Sequence, residues 1–126
     1  HPLACAVALE TLKIYESDRI VEHVQRVGPR LQAGLRRYVG HPIVGDVRGI
    51  GLIGALELAE DPKARKPFDP ARGVGAFFAS AAQKHGLIVR VMGGDIIALS
   101  PPLVITEAEI DDGSGRVSSR LDTIGK

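Results

Sequence analysis

Among the residues able to do chemistry, Arg90 has the least polar surroundings. It lies between Val89 and Val91, with Ile88 and Met92 two positions away, and it is the only charge in residues 87–92. A guanidinium in so apolar a run is costly to bury without an anion. Two readings fit: an arginine that holds an anion, or an edge-strand arginine that snorkels to water or forms a structural ion pair. The other reactive side chains form no set. His1, His23, His41 and His85 are scattered, and no HExxH or paired-carboxylate metal pattern exists. Ser100 precedes two prolines with no glycine elbow around it. Cys5 is flanked by Ala4 and Ala6, which favours a packed, inert thiol. Lys13, Lys63, Lys66, Lys84 and Lys126 each have polar neighbours or a terminal position, so none reads as a desolvated nucleophilic amine. No residue is assigned a catalytic role and none a metal.

The elements that must position Arg90 follow from local chemistry. Residues 87–92 are β-branched or long and apolar apart from Arg90, which predicts a strand. Gly93, Gly94 and Asp95 suit the positive φ angles of a short hairpin loop. Residues 96–99 form the return strand, so 87–99 is a strand pair. Pro101 and Pro102 lack a backbone N–H and end the ladder. Thr106 with Glu109 reads as a capping box opening a helix over 106–126. That helix buries Ile110, Val117, Leu121 and Ile124, and Gly113 to Gly115 break or fray it into a tail.

Upstream, residues 1–16 read as a linking helix with Pro2 at its first position. Its small residues, Ala4, Cys5, Ala6 and Ala8, predict packing against structure on more than one face. Ser17 or Asp18 caps the next helix. Ile20, Val24, Val27, Leu31 and Leu35 give it an amphipathic line to about Val39. Over 17–40 this helix is kinked at Gly28-Pro29 and ended by Gly40. Residues 43–58 hold a strand pair meeting near Gly49 and Gly51. The spacing Gly49-x-Gly51-x-x-Gly54 matches a dinucleotide fingerprint, but no long helix can follow before Pro62, so that reading is rejected. Arg48 pairs with Asp46 or Glu57. Residues 61–72 form a charged, solvated loop. Residues 73–85 form a helix with Val74, Phe77, Phe78 and Ala81 inward, ended by Gly86. The total is one α+β domain over 1–126, a small, mainly antiparallel sheet flanked by helices.

Composition excludes several classes. A net charge of +1 gives no pull toward nucleic acid or an anionic membrane. Two tyrosines, three phenylalanines and no tryptophan leave few platforms for stacking bases. No apolar run reaches transmembrane length. A single cysteine precludes an internal disulfide and points to a reducing, cytoplasmic setting. The chain opens on His1 rather than Met, as though cut from something longer.

The order of these pieces resembles one family. His1-Pro2-Leu3-Ala4-Cys5-Ala6 is similar to the His-Pro segment of class III aminotransferases, pyridoxal-phosphate enzymes of fold type I. Residues 45–52, from Gly45-Asp46-Val47-Arg48 to Leu52, resemble that family's next motif. Gly93 and Asp95 through Ser100-Pro101-Pro102 to Thr106, then Glu109-Ile110-Asp111, resemble its last. The likeness runs in order to about Asp111, and the amine–pyruvate or ω-amino acid branch fits best. The resemblance implies the C-terminal small domain of a homodimeric transaminase. An amino group would pass by ping-pong transfer between an amine or ω-amino acid and a ketoacid such as pyruvate. It implies that Arg90 meets the substrate carboxylate. It also implies that the cofactor lysine and most phosphate contacts belong to a preceding large domain, so this chain alone would be inactive and bind no cofactor. Another branch, an aminomutase or a diamine transaminase, shares these motifs, and a non-catalytic α+β ligand-binding module is the reading from a different class.

Overall fold

The computed structural model describes residues 1–124, with side-chain burial through residue 122. In chain order the elements are α1 (Pro2–Ser17), α2 (Ile20–Arg36), β1 (Val44–Ile50), β2 (Ile53–Leu58), a 3-10 turn (Pro70–Arg72), α3 (Val74–Lys84), β3 (Arg90–Met92), β4 (Ile96–Leu99) and α4 (Glu107–Ile124). The strands pair antiparallel in the order β1-β2-β4-β3. This is the α+β arrangement expected from the sequence.

One face of the sheet carries the core. Leu56 on β2 and Ile97 on β4 are fully buried against Leu35 of α2, Phe78 of α3 and Val117 of α4. Their strand neighbours point to the opposite face, because side chains alternate along a strand. Among the described residues no helix lies on that opposite face.

Helix α2 buries Ile20, Val27, Leu31 and Leu35 as its spacing requires. It runs as one helix through Pro29 and ends at Arg36, short of Val39. Its cap is also different. Arg19, with φ of 52°, precedes it without a side-chain cap. Ser17 is already committed, donating to the Ile14 carbonyl and to Asp18 at the end of α1. Helix α2 lies close to the β1–β2 turn. A Cβ on Gly28 would come within 3.1 Å of the Gly51 backbone, and Gln32 Nε2 donates to the carbonyls of Gly51 and Ile53 at 2.9 and 3.0 Å. Gly49 and Gly54 face each other across that ladder, which leaves no dinucleotide turn.

Helix α4 corrects a second expectation: it passes through Gly113 and Gly115 without a break. Its start is the expected capping box, in which Glu109 accepts from the Thr106 backbone N–H at 2.8 Å and the Thr106 hydroxyl accepts from Glu109 N–H at 3.3 Å. Ile110, Val117 and Leu121 are buried. The Tyr38 hydroxyl donates to the Ser114 carbonyl at 2.6 Å, and Arg116 donates to the His85 carbonyl. Arg30 of α2 clasps Asp111 through two bonds of 2.8 and 2.6 Å and reaches Glu107 at 2.8 Å. Tertiary packing therefore outweighs the helix propensity lost at two glycines. The expected burial of Ile124 lies outside the described side chains.

Three smaller corrections concern burial. In α3 the buried line is Val74, Phe78 and Ala82, four residues apart, while Phe77 is 57% exposed and Ala81 half-buried. The 61–72 loop is not wholly solvated, since Phe68 is buried with Arg72 stacked over its ring at 5.0 Å. Helix α1 buries none of its residues within this chain, and Cys5 is exposed rather than packed.

Candidate functional site

Arg90 opens β3, the edge strand of the sheet. The expected strand over 87–92 shortens to Arg90–Met92 for a physical reason. The register pairs Arg90 with Ala98, Val91 with Ile97 and Met92 with Ile96. Continuing it would set residues 87 and 88 against Pro101 and Ser100, where the ladder loses its donor. Alternation nevertheless persists: Leu87, Val89 and Val91 pack against the core, while Ile88, Arg90 and Met92 are exposed.

Arg90 thus projects from the face that carries no helix. Across that face the register aligns Arg48, Ala55, Ala98 and Arg90 in one row over four strands. The two arginines differ. Arg48 donates to Asp46 at 2.6 Å and to Glu57 at 2.8 Å, and these bonds, Glu57 first, hold its guanidinium above the usual arginine range. Both partners named from the sequence are engaged at once. The Arg90 side chain has no hydrogen bond or ion pair among the described residues. Between the arginines lie two methyl groups, so the floor is flat and apolar. An unpaired surface guanidinium over such a floor is suited to a planar anion, which it can meet with two parallel donors.

The β3–β4 turn fixes where Arg90 sits. Gly94 and Asp95 take the positive φ values, 80° and 56°, and Gly93 does not. Asp95 Oδ1 accepts from the backbone N–H of Gly75 at 2.8 Å, in the first turn of α3. The α3 cap position is Gly73, which has no side chain to offer. The Asp95 carbonyl also accepts from Leu58 N–H at 3.2 Å. The anchoring of Asp95 to α3 was not foreseen from its turn and motif position. The signal was an absence: a helix opening on Gly73-Val74-Gly75 has no local cap and must borrow one.

The remaining candidates stay apart. His23 Nε2 lies 2.9 Å from the Ile105 carbonyl, with Nδ1 2.8 Å from Arg26, and His41 lies 3.6 Å from Asp122. Among the described residues no cluster of metal-ligating side chains forms. No described helix is long and apolar enough to cross a membrane.

The domain is a helix-backed antiparallel sheet whose other face bears an unpaired arginine. The class III aminotransferase family model matches residues 1–121. The chain is 47% identical over 112 residues to gamma-aminobutyrate transaminase 1, mitochondrial, of Oryza sativa subsp. indica, covering 89% of this chain and 22% of that relative. A transaminase structure from directed evolution by ancestral reconstruction superposes with a TM-score of 0.93 at 43% identity, over 99% of this chain and 28% of that one. A thermostable omega transaminase from Pseudomonas jessenii gives 0.89 at 43%, over 98% and 27%. This chain belongs to the class III aminotransferases. It spans under a third of the length of each of these relatives.

The family implies pyridoxal phosphate, and the described residues do not fit its attachment. Lys13 and Lys66 are exposed and paired with Glu10 and Glu60, Lys63 and Lys84 are exposed, and no polar or charged side chain is buried. Lys126 lies outside the described residues.

Proposed function

We propose that this chain is the C-terminal small domain of a transaminase that moves an amino group between an amine or ω-amino acid and a ketoacid such as pyruvate, with Arg90 holding the carboxylate of the substrate. The observation that carries the reading is the unpaired Arg90 guanidinium on the open sheet face beside Ala98. A ketoacid or an ω-amino acid presents a planar carboxylate, which a guanidinium fork matches in two places. The relative named for gamma-aminobutyrate and the neighbour named an omega transaminase both support a substrate of this kind. On the chain's own residues the amine–pyruvate or ω-amino acid branch fits best, Arg90 standing on the strand before the glycine turn; the relative named for gamma-aminobutyrate makes that donor the second reading.

In this reading pyridoxal phosphate is held by a large domain that precedes the chain and covers the open face. The cofactor carries the amino group from donor to acceptor. The small domain binds and orients the carboxylate end, and by itself it is inactive. The full-length protein works as a homodimer. We place it in a reducing compartment, the cytoplasm, on its single cysteine; a relative named mitochondrial carries the same domain, so the address belongs to targeting sequence rather than to this fold.

The test is amino transfer by the full-length protein to pyruvate, with gamma-aminobutyrate and with a simple amine as donors. Transfer from either donor is the expected result. No transfer from both, with pyridoxal phosphate bound, overturns the substrate reading.

A further inference from the structure

We infer that Asp95 is a positioning residue for Arg90, acting as a clamp between the β3–β4 turn, α3 and β2. This rests on the proposed carboxylate role of Arg90 and goes beyond it.

Little else holds β3. It is three residues long, lies at the sheet edge, and pairs with one neighbour only. Short edge strands are the least constrained parts of a sheet. Asp95 compensates by tying three elements together at one residue. Its carboxylate accepts from Gly75 N–H at the start of α3, and its carbonyl accepts from Leu58 N–H at the end of β2. Its own backbone turns β3 into β4. The contact is close-fitting. A Cβ on Gly75 would lie 2.8 Å from Val91 Cγ1 and 2.9 Å from Asp95 Oδ1, so β3 and the turn are seated directly on the α3 backbone.

Two features argue that the carboxylate, and not merely a turn, is needed at this position. Asp95 adopts φ of 56°, where glycine is the least strained residue. A non-glycine residue in this region persists when its surroundings over-determine it, and such positions gather at binding sites. The N-terminal end of α3 also carries partial positive charge, which an acidic acceptor complements. Val91 is the residue seated on Gly75, and Arg90 precedes it. Any release of the turn therefore shifts the guanidinium relative to whatever faces it. A displacement of about 1 Å in a substrate-positioning group is enough to cost rate.

The experiment uses the full-length enzyme and the two half-reactions in single turnover. One substrate carries a carboxylate, pyruvate; the other, a simple amine, carries none. Asp95→Gly keeps the φ angle and removes the acceptor. Asp95→Asn keeps an acceptor oxygen and tolerates the same φ. The expected result is that Asp95→Gly raises the half-saturating pyruvate concentration about five- to tenfold, near 1.4 kcal/mol per decade. The amine half-reaction stays within about twofold, and Asp95→Asn restores pyruvate binding to within about twofold. Equal loss in both half-reactions, or no loss in either, overturns the inference. Arg90→Ala measured beside them separates the two layers. If Arg90→Ala shows no preference for pyruvate, the substrate reading itself fails. If it does and Asp95→Gly does not, only the clamp fails. Melting curves are read beside the kinetics: a pyruvate-specific loss in Asp95→Gly at an unchanged melting temperature supports the clamp, and a lowered melting temperature with both half-reactions depressed overturns it.

Discussion

Arg90 on β3 and Ala98 on β4 stand directly opposite each other on the open face of the sheet. A methyl group at that position leaves the guanidinium free to lie across the strand or rise from it. Ala98→Leu fills this space. The expected outcome is a roughly tenfold fall in turnover of a carboxylate-bearing substrate, ~1.4 kcal/mol, with a simple amine within about twofold. Half-reaction kinetics check it, and a uniform loss contradicts it.

Gly113 lies inside α4, and a methyl group built on it meets no atom within 4 Å. It faces an apolar cavity of about 350 Å³ between α2, α4 and the Pro101-Pro102 segment. Gly113→Ala therefore gains helix propensity without a clash. Stability should rise by about 0.8–1 kcal/mol, read as a higher urea midpoint at unchanged slope. An unchanged or lower midpoint contradicts the continuous packing of α4.

The Arg30–Asp111 clasp makes the α2–α4 contact sensitive to acid. The Arg30 guanidinium holds the Asp111 carboxyl below its usual range, and Thr106 does the same for Glu109, chiefly through its backbone N–H. With these pKa values depressed in the folded chain, the unfolded chain binds more protons, so stability rises with pH. The contribution is complete above the ordinary carboxylate pKa of about 4 and is lost as pH falls through the lower folded values. Both carboxylates are solvent-exposed, so the effect is modest and screened by salt. Melting temperatures of wild type and Arg30→Ala should differ at pH 7 and draw together as pH falls below the ordinary carboxylate range, as a pH series will show. A constant difference across the series contradicts it.

Helix α1 carries Leu3, Val7, Leu9, Leu12 and Ile14 with more than half of each side chain's surface exposed. Apolar side chains point from several sides of one helix, a pattern expected of a segment covered by other structure. The chain alone should self-associate, and Leu3→Ser with Leu12→Ser should reduce its apparent mass in sedimentation. A monomer with α1 ordered and unprotected from hydrogen exchange contradicts this.

Periodic features were legible in the sequence. The apolar spacing of α2, the capping box at Thr106 and Glu109, and the Arg48 partners all depend on residues near in sequence or directly opposite on a hairpin. Features decided by distant contacts were not. Gly113 and Gly115 suggested a break, but Tyr38 and the His85 carbonyl, which Arg116 reaches, pin α4 from outside it. One miss is local instead: Ser17 and Asp18 suggested a cap, but bonding at the end of α1 consumes Ser17. Arg90 stood out as a charge among apolar residues. That it emerges on an uncovered face, with Asp95 anchored to α3 behind it, depends on strand order and register, which no local pattern encodes.

The proposed role of Arg90 is to recognise a carboxylate and not to serve packing. Its most direct test is single-turnover kinetics of Arg90→Ala in both half-reactions of the full-length enzyme, beside its melting curve. A hydrogen bond to a charged group contributes roughly 1.5–3 kcal/mol net, about ten- to a hundredfold in rate. The account predicts a loss of that size with a ketoacid, a much smaller one with a simple amine, and an unchanged melting temperature. Equal losses in the two half-reactions together with a lowered melting temperature would contradict it and make Arg90 a structural residue.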